Sequence, residues 1–320
     1  PNPPFFIMIR PPPRSTRHST RRQRQMCIRD RSAAILAKLH KDGASELWPF
    51  RSEQERDLRA VVTTMDLMDE HFHQNVNRLE GHMARHWPEV GGWLDFTCVT
   101  FLELIQRLGG PAQISASAHE ARETMRTVGG RFLKGEKIDA VIASSGQTIG
   151  VTMTAQEVEE LRKLAGHTLD IYRRLQEARR RVDRLSQQRP SIQAMSRAVG
   201  KGTAAVLVVE GGDPEHYASS SEWLKTFGLN LKERSSGKHI GRLKITKRGS
   251  GKARRWLYLA ALRLIQKDLV VRTWYERKVA RDGGVKKKAI IAVMRKLVKA
   301  LWYVGRGELL DTTKMFDVKR

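Results

Sequence analysis

The chain has 320 residues, enough for two or three compact units, and 40% of them are hydrophobic, so a core can form. Its formal net charge of +25 suits a polyanionic partner, because Lys and Arg that neutralise phosphates release condensed counterions. Two cysteines, Cys27 and Cys98, supply neither a disulfide framework nor a cysteine-based zinc site, and no run of 18 apolar residues is present to cross a membrane.

Residues 1–31 are rich in Pro and Arg and show no sustained period. They read as a disordered basic arm. The stretch MCIRDR (26–31) also resembles the translation of a sequencing-adapter end, which would make 1–31 a non-native leader. From Ser32 the pattern becomes orderly. SAAILAKLHKDGA reads as a short helix ending at Gly43. Ser52 and Glu55 form a capping-box pattern at the head of a long helix over 52–87. Leu58, Val61, Val62, Met65, Leu67, Met68, Phe72, Val76 and Leu79 recur there at helical spacing. Asp66, Asp69 and Glu70 read as solvated helix charges. His71 and His73, two residues apart, face different sides of the helix and make a poor metal pair. Pro88 and Gly91-Gly92 close the helix, and shorter helices are predicted at about 98–108, 116–127 and 134–145.

A second capping box, Thr154 and Glu157, opens the next long helix. Leu161, Leu164, Thr168, Ile171, Leu175, Ala178, Val182 and Leu185 then alternate spacings of three and four, a heptad seam. Such a seam requires a partner, either a neighbouring helix of the same chain or a second protomer. Pro190 is expected to end it. Beyond 191 the pattern predicts an apolar helix (203–209), a capped helix (219–227), a loop or short hairpin around 239–247, helices over 251–268 and 270–280, and a last long helix over 286–304. The fold class is mainly α: a helical linker with a coiled-coil segment, then a compact basic helical DNA-binding domain with a short hairpin or loop.

Charge is concentrated late in the chain. Between Lys232 and Lys299 stand 22 Lys and Arg against 4 Asp and Glu. A solvated helix face normally interleaves both signs, so one-signed density points to a phosphate-tracking surface. Trp256, Tyr258, Trp274 and Tyr275 lie among these cations, either as core or as base-stacking platforms. Ser235 and Ser236 sit beside Gly237 in the same field. A hydroxyl there is either ordinary turn material or a nucleophile whose target phosphate the cations hold and neutralise. GKGT (200–203) does not meet the phosphate-loop pattern. It reads as a glycine turn between helices, able to touch a DNA backbone or serving only to end one helix and begin another.

The order of G-x-x-T-A-A from Gly200, G-D-P from Gly212, G-L from Gly228, S-G-K from Ser236, I-x-K-x-G from Ile245 and a basic helix resembles the serine-bearing transposase domain of the IS110 insertion-sequence family. The stretch from AAILAKLHKDGA onward and the heptads are similar to that family too, and the resemblance covers about 32–305. It implies an N-terminal RuvC-like domain whose four acids bind Mg2+, a coiled-coil helical region, and a C-terminal serine that forms a covalent phosphoserine link to DNA. It also implies guidance by a structured RNA. Carried onto this chain, the nucleophile is Ser236, with Ser235 in reserve. The nucleic-acid-binding candidates around them are Arg234, Lys238, Arg242, Lys244, Lys247, Arg248, Lys252, Arg254 and Arg255.

The chain departs from the family pattern near its start. A D-x-x-D-A motif should run into AAIL, but Arg29 and Ser32 stand at those positions and Asp30 is off by one. The chain is therefore expected to be an incomplete copy lacking the Mg2+ ligands. The expected organisation is a leader (1–31), a helical remnant after the RuvC-like domain (32–150), a coiled-coil helix (151–190) and a C-terminal transposase domain (191–320). Expected partners are DNA, a guide RNA and a second copy through the heptad helix, with no membrane. The expected location is the bacterial cytoplasm, at the nucleoid. The competing functions are a non-enzymatic basic nucleic-acid-binding protein, and a helical assembly protein joined through the heptads.

Overall fold

The computed structural model describes residues 33–35, 37–38, 41–42, 52–233 and 243–316. In the first of two units, 1–51, the described residues 33–35, 37–38 and 41 are helical. The second unit, Ser52–Arg320, opens with helix α1 (Glu53–His86). The Ser52 hydroxyl accepts from the Glu55 N–H, and the Glu55 carboxylate accepts from the Ser52 N–H, so two otherwise orphaned donors are satisfied. Leu58, Val62, Met65, Phe72, Val76 and Leu79 are buried along one stripe of α1. Leu67 does not join them and is 45% exposed, because two residues from Met65 is more than half a turn around the helix.

After α1 come α2 (Val99–Leu108), α3 (Pro111–Ala116), α4 (Ala118–Gly129) and α5 (Gly135–Gly146). The single turn α3 has no counterpart among the sequence-predicted helices; six residues are too few for a period to show. Helix α6 (Ala155–Ser186) starts at the Thr154–Glu157 capping box, which is fully formed. It runs antiparallel to α1. Arg85, in the last turn of α1, lies 3.9 Å from Glu157 in the first turn of α6. At the other end, Glu55 lies 3.6 Å from Arg189.

The heptad seam is therefore answered within the chain. Leu161, Thr168, Ile171, Leu175, Ala178 and Val182 are buried, and α6 packs against both α1 and α2. Thr168, a weak seam residue, donates its hydroxyl to the Leu164 carbonyl at 2.6 Å and so brings no unsatisfied group into the core. An oligomer formed through this face is corrected by that packing: a second copy would need another surface.

Pro190 does not end the heptad helix, which stops at Ser186. It occupies the first position of α7 (Pro190–Val199), where its missing N–H breaks no hydrogen bond. Helix α8 (Lys201–Gly211) follows, and Ala204, Ala205, Val206 and Leu207 are each 0% exposed. Such all-round burial marks a central helix; each large side chain contributes about 1.5–3 kcal/mol by leaving water. Helix α8 packs against α1, α6, α7 and α10 (Gly251–Lys267), so the segments on either side of residue 190 share one core. The remaining elements are α9 (Ser220–Thr226), strands β1 (Leu231–Lys232) and β2 (Lys244–Ile245), α11 (Leu269–Arg281), α12 (Lys286–Gly305) and the short α13 (Thr312–Met315). Among the described residues the only sheet is this two-stranded pair, and the fold is mainly α. No described helix is long and apolar enough to cross a membrane.

Candidate nucleic-acid interface

The basic loop leaves and returns through a fixed stem. Strands β1 and β2 are antiparallel, with Leu231 opposite Ile245 and Lys232 opposite Lys244. Below them the Thr246 N–H donates to the Asn230 carbonyl and the Lys247 N–H to the Gly228 carbonyl, both at 2.9 Å. The Thr246 hydroxyl is 2.6 Å from Asn230 Oδ1. Two glycines let the stem dock closely. Gly228 has φ +64, and a Cβ there would lie 2.4 Å from the Arg248 carbonyl oxygen. Gly249 has φ +130, and a Cβ would lie 2.0 Å from the Thr226 oxygen. Lys247, at φ 55, is the one described non-glycine residue in the left-handed region. That conformation costs on the order of 1–3 kcal/mol and persists only where surrounding contacts impose it.

In sequence, Ser235 and Ser236 fall between the two strands. Those serines, with Arg234, Lys238 and Arg242, lie outside the described residues. The other six cationic candidates divide evenly. Lys244, Lys247 and Arg248 are exposed and make no side-chain hydrogen bond or ion pair among the described residues. Lys244 also faces Lys232 across the ladder, a like-charge pair that weakens the hairpin unless an anion lies between them.

Lys252, Arg254 and Arg255 are engaged inside the fold. Arg254 donates to the Phe227 carbonyl at 3.0 Å and the Gly249 carbonyl at 3.2 Å, fastening both sides of the stem. Arg295 on α12 donates to the Leu229 carbonyl at 3.0 Å. Burial lowers the pKa of both guanidinium groups. Arg255 pairs with Asp66 and lies 3.9 Å from Asp69. Lys252 stands between Asp66 at 3.7 Å and Glu210 at 3.8 Å. Arg179 reaches Asp69 at 3.1 Å.

Asp66 and Asp69, expected to be solvated, are only 9% and 6% exposed. The reason is packing: α6 and α8 pack against α1, side chains of α10 reach across to the acids, and buried carboxylates require paired donors. Asp66 also accepts from Trp256 Nε1 at 2.7 Å, and Glu210 accepts from the Ser250 hydroxyl at 2.7 Å while Ser250 caps α10. Trp256 is thus core, and Tyr258, Trp274 and Tyr275 are half-buried against the core. The sequence did carry a signal for the aspartates. Val62, Asp66, Asp69, Phe72 and Val76 share one helical face, so both acids occupy apolar-stripe positions.

Gly200, at φ +83, joins α7 to α8, whose first turn has no side-chain cap. The neighbouring Lys201 ammonium is 2.6 Å from Asp183. Glu70, His71 and His73 remain exposed. Among the described residues no group of three or more His, Cys, Asp or Glu could hold a metal ion.

Residues 195–276, from the end of α7 through the stem to α11, match the family described as Transposase IS116/IS110/IS902 family. This segment is similar to the transposase domain of that family. The chain is also 25% identical over 246 residues to an insertion element IS110 uncharacterized 43.6 kDa protein of Streptomyces coelicolor, covering 75% of this chain and 60% of the relative. It is 27% identical over 214 residues to an insertion element IS900 uncharacterized 42 kDa protein of Mycobacterium paratuberculosis, covering 61% and 52%. The chain thus spans between half and two thirds of these relatives' length. The transposase domain contains Glu210, the stem and the clamp residues Lys252, Arg254 and Arg255, whereas Asp66, Asp69 and Arg179 lie outside it on α1 and α6.

Proposed function

We propose that this chain is the DNA-processing part of a transposase that cuts and rejoins DNA with a serine nucleophile, Ser236, or Ser235 in its place. The observation that carries this reading is the position of the two serines. They lie in sequence within the segment matching the transposase family, between two paired strands and beside Lys244, Lys247 and Arg248, which make no ion pair among the described residues.

The chemistry is a transesterification. The serine Oγ attacks phosphorus, an O–P bond forms, and the bond from phosphorus to a sugar oxygen breaks. The serine proton passes to solvent or base, and the sugar oxygen leaves as a hydroxyl. One phosphodiester replaces another, so rejoining is the same step in reverse onto a different hydroxyl. A free hydroxyl is a weak nucleophile, and the cations of the stem stabilise the charge that develops on the phosphate. Asp66, Asp69 and Glu210 are each matched to cations, and the described residues do not fit a magnesium site, so no step is routed through a metal. A guide RNA, implied by the family resemblance, would be a second polyanion for the same basic region.

The test is a denaturing gel of the protein with end-labelled duplex DNA. A slow, SDS-resistant band that Ser236→Ala or Ser235→Ala removes is the expected result. Absence of the band, or its persistence in the double variant, overturns the nucleophile and leaves a protein that only binds polyanions.

A further inference from the structure

Helix α10 contains no acidic residue, yet two of its cations are ion-paired. The carboxylates come from elsewhere: Asp66 and Asp69 from α1, and Glu210 from α8. They lie behind the cations. The side chains of Asp66, Asp69 and Glu210 are 12%, 9% and 11% exposed, whereas those of Lys252, Arg255 and Arg179 are 23%, 37% and 45% exposed. Solvent therefore meets a row of positive groups backed by acids.

The two kinds of partner are held differently. Neutral donors bind the carboxylates tightly, with Trp256 Nε1 on Asp66 and the Ser250 hydroxyl on Glu210, each at 2.7 Å. Of the two cations, Arg255 also donates to Asp66, whereas the Lys252 ammonium is beyond hydrogen-bond range of both its acids. If Lys252 and Arg255 swing outward, Asp66 and Glu210 keep a hydrogen bond. The cations leave buried carboxylates behind when they swing out, so the exchange costs free energy that the DNA phosphates must offset.

From this geometry we infer that Lys252 and Arg255 are a masked phosphate-binding pair. The buried acids hold them in the free protein, and the phosphates of duplex DNA take them over on binding, while Trp256 keeps α10 attached to Asp66 of α1. The inference rests on the DNA reading above and adds an internal brake to it: the acids set how much DNA charge is needed before the domain engages.

The test is the salt dependence of affinity for a labelled 30-base-pair duplex, read by fluorescence anisotropy between 50 and 200 mM KCl. Each phosphate neutralised contributes about 0.9 to the slope of log K against log salt. The K252Q/R255Q variant should lower the slope by about 1.8, so its affinity falls roughly tenfold less across that range. The D66N/D69N variant, in which the acids no longer compete, should bind roughly tenfold more tightly than the original protein at 100 mM. If K252Q/R255Q leaves a clear slope unchanged, the pair stays on its acids and the brake is wrong while DNA binding stands. A folded D66N/D69N variant with unaltered or weaker affinity rules out the brake in the same way. No salt-dependent binding by the original protein overturns both readings. Circular dichroism checks folding, and if D66N/D69N fails it, K252Q/R255Q decides alone.

Discussion

Along α6, Lys163 lies 2.7 Å from Glu159 and Arg181 2.6 Å from Glu177, each pair one turn apart on open surface. In α10 the acids are supplied from afar: Trp256 and its partner Asp66 are 190 positions apart. Both helices carry many cations, but α6 interleaves them with acids of its own whereas α10 has none, so they neutralise charge by opposite routes. Neighbouring pairs on one helix hold nothing else together and contribute about 0.3–0.5 kcal/mol. The distant pairs join α1, α8 and α10, so the same types of side chain become a link between the helical region and the transposase domain. The stem cations Lys244, Lys247 and Arg248 follow neither route, and that leaves them for a ligand.

The sharpest way to break this contrast is to remove apolar packing, which both regions share. Leu175→Ala on the buried seam should cost about 2–5 kcal/mol in urea unfolding, whatever happens to the charges. Next in size is Asp66→Ala, expected to cost about 1–3 kcal/mol, because it leaves Trp256 Nε1 without its acceptor and Arg255 without its nearest acid. An Asp66→Asn change should cost less, since the amide oxygen can still accept from Trp256. If the two variants unfold at the same urea concentration, the hydrogen bond to Trp256 is not what matters.

A smaller effect should appear in acid. The Ile149 N–H at 3.0 Å and the Thr148 hydroxyl at 2.7 Å both donate to Glu89, and the backbone bond is the larger cause of its lowered pKa. A carboxyl with a lowered folded pKa binds a proton less readily folded than unfolded. Its contribution is therefore present above its ordinary value of 4.5 and lost as pH falls through the folded value. Thermal melts of Glu89→Gln against the original protein should converge as the pH drops below that window. Smallest of all is Glu177→Ala on α6, expected to change stability by no more than about 0.5 kcal/mol. A loss as large as that of Asp66→Ala would erase the distinction between local and distant pairing.

Much of the architecture was legible beforehand. Both capping boxes, Ser52–Glu55 and Thr154–Glu157, form as the residue types require. The long helices begin within a few residues of their predicted starts. The hairpin expected around 239–247 is realised as a strand pair that begins earlier, at Leu231. Less legible were Pro190, which reads equally as a stop or as a first helical position, and α3 and α13, too short to show a period. The site divided in the same way. The charge density pointed to the right segment, but nothing in it separated Arg254, which clamps the stem, from Arg248, which faces solvent.

The sequence by itself determined the helix starts, the amphipathic stripes and the one-signed charge of the late segment. Caps, periods and charge counts depend on residues within four positions of one another, so they survive without knowledge of the fold. Only the tertiary structure decided that α1 completes the heptad seam, that Asp66 and Asp69 are buried, and which cations remain uncovered. Those outcomes follow from helix packing between residues more than a hundred positions apart. Such packing sets burial, and burial sets whether a charge must find a partner.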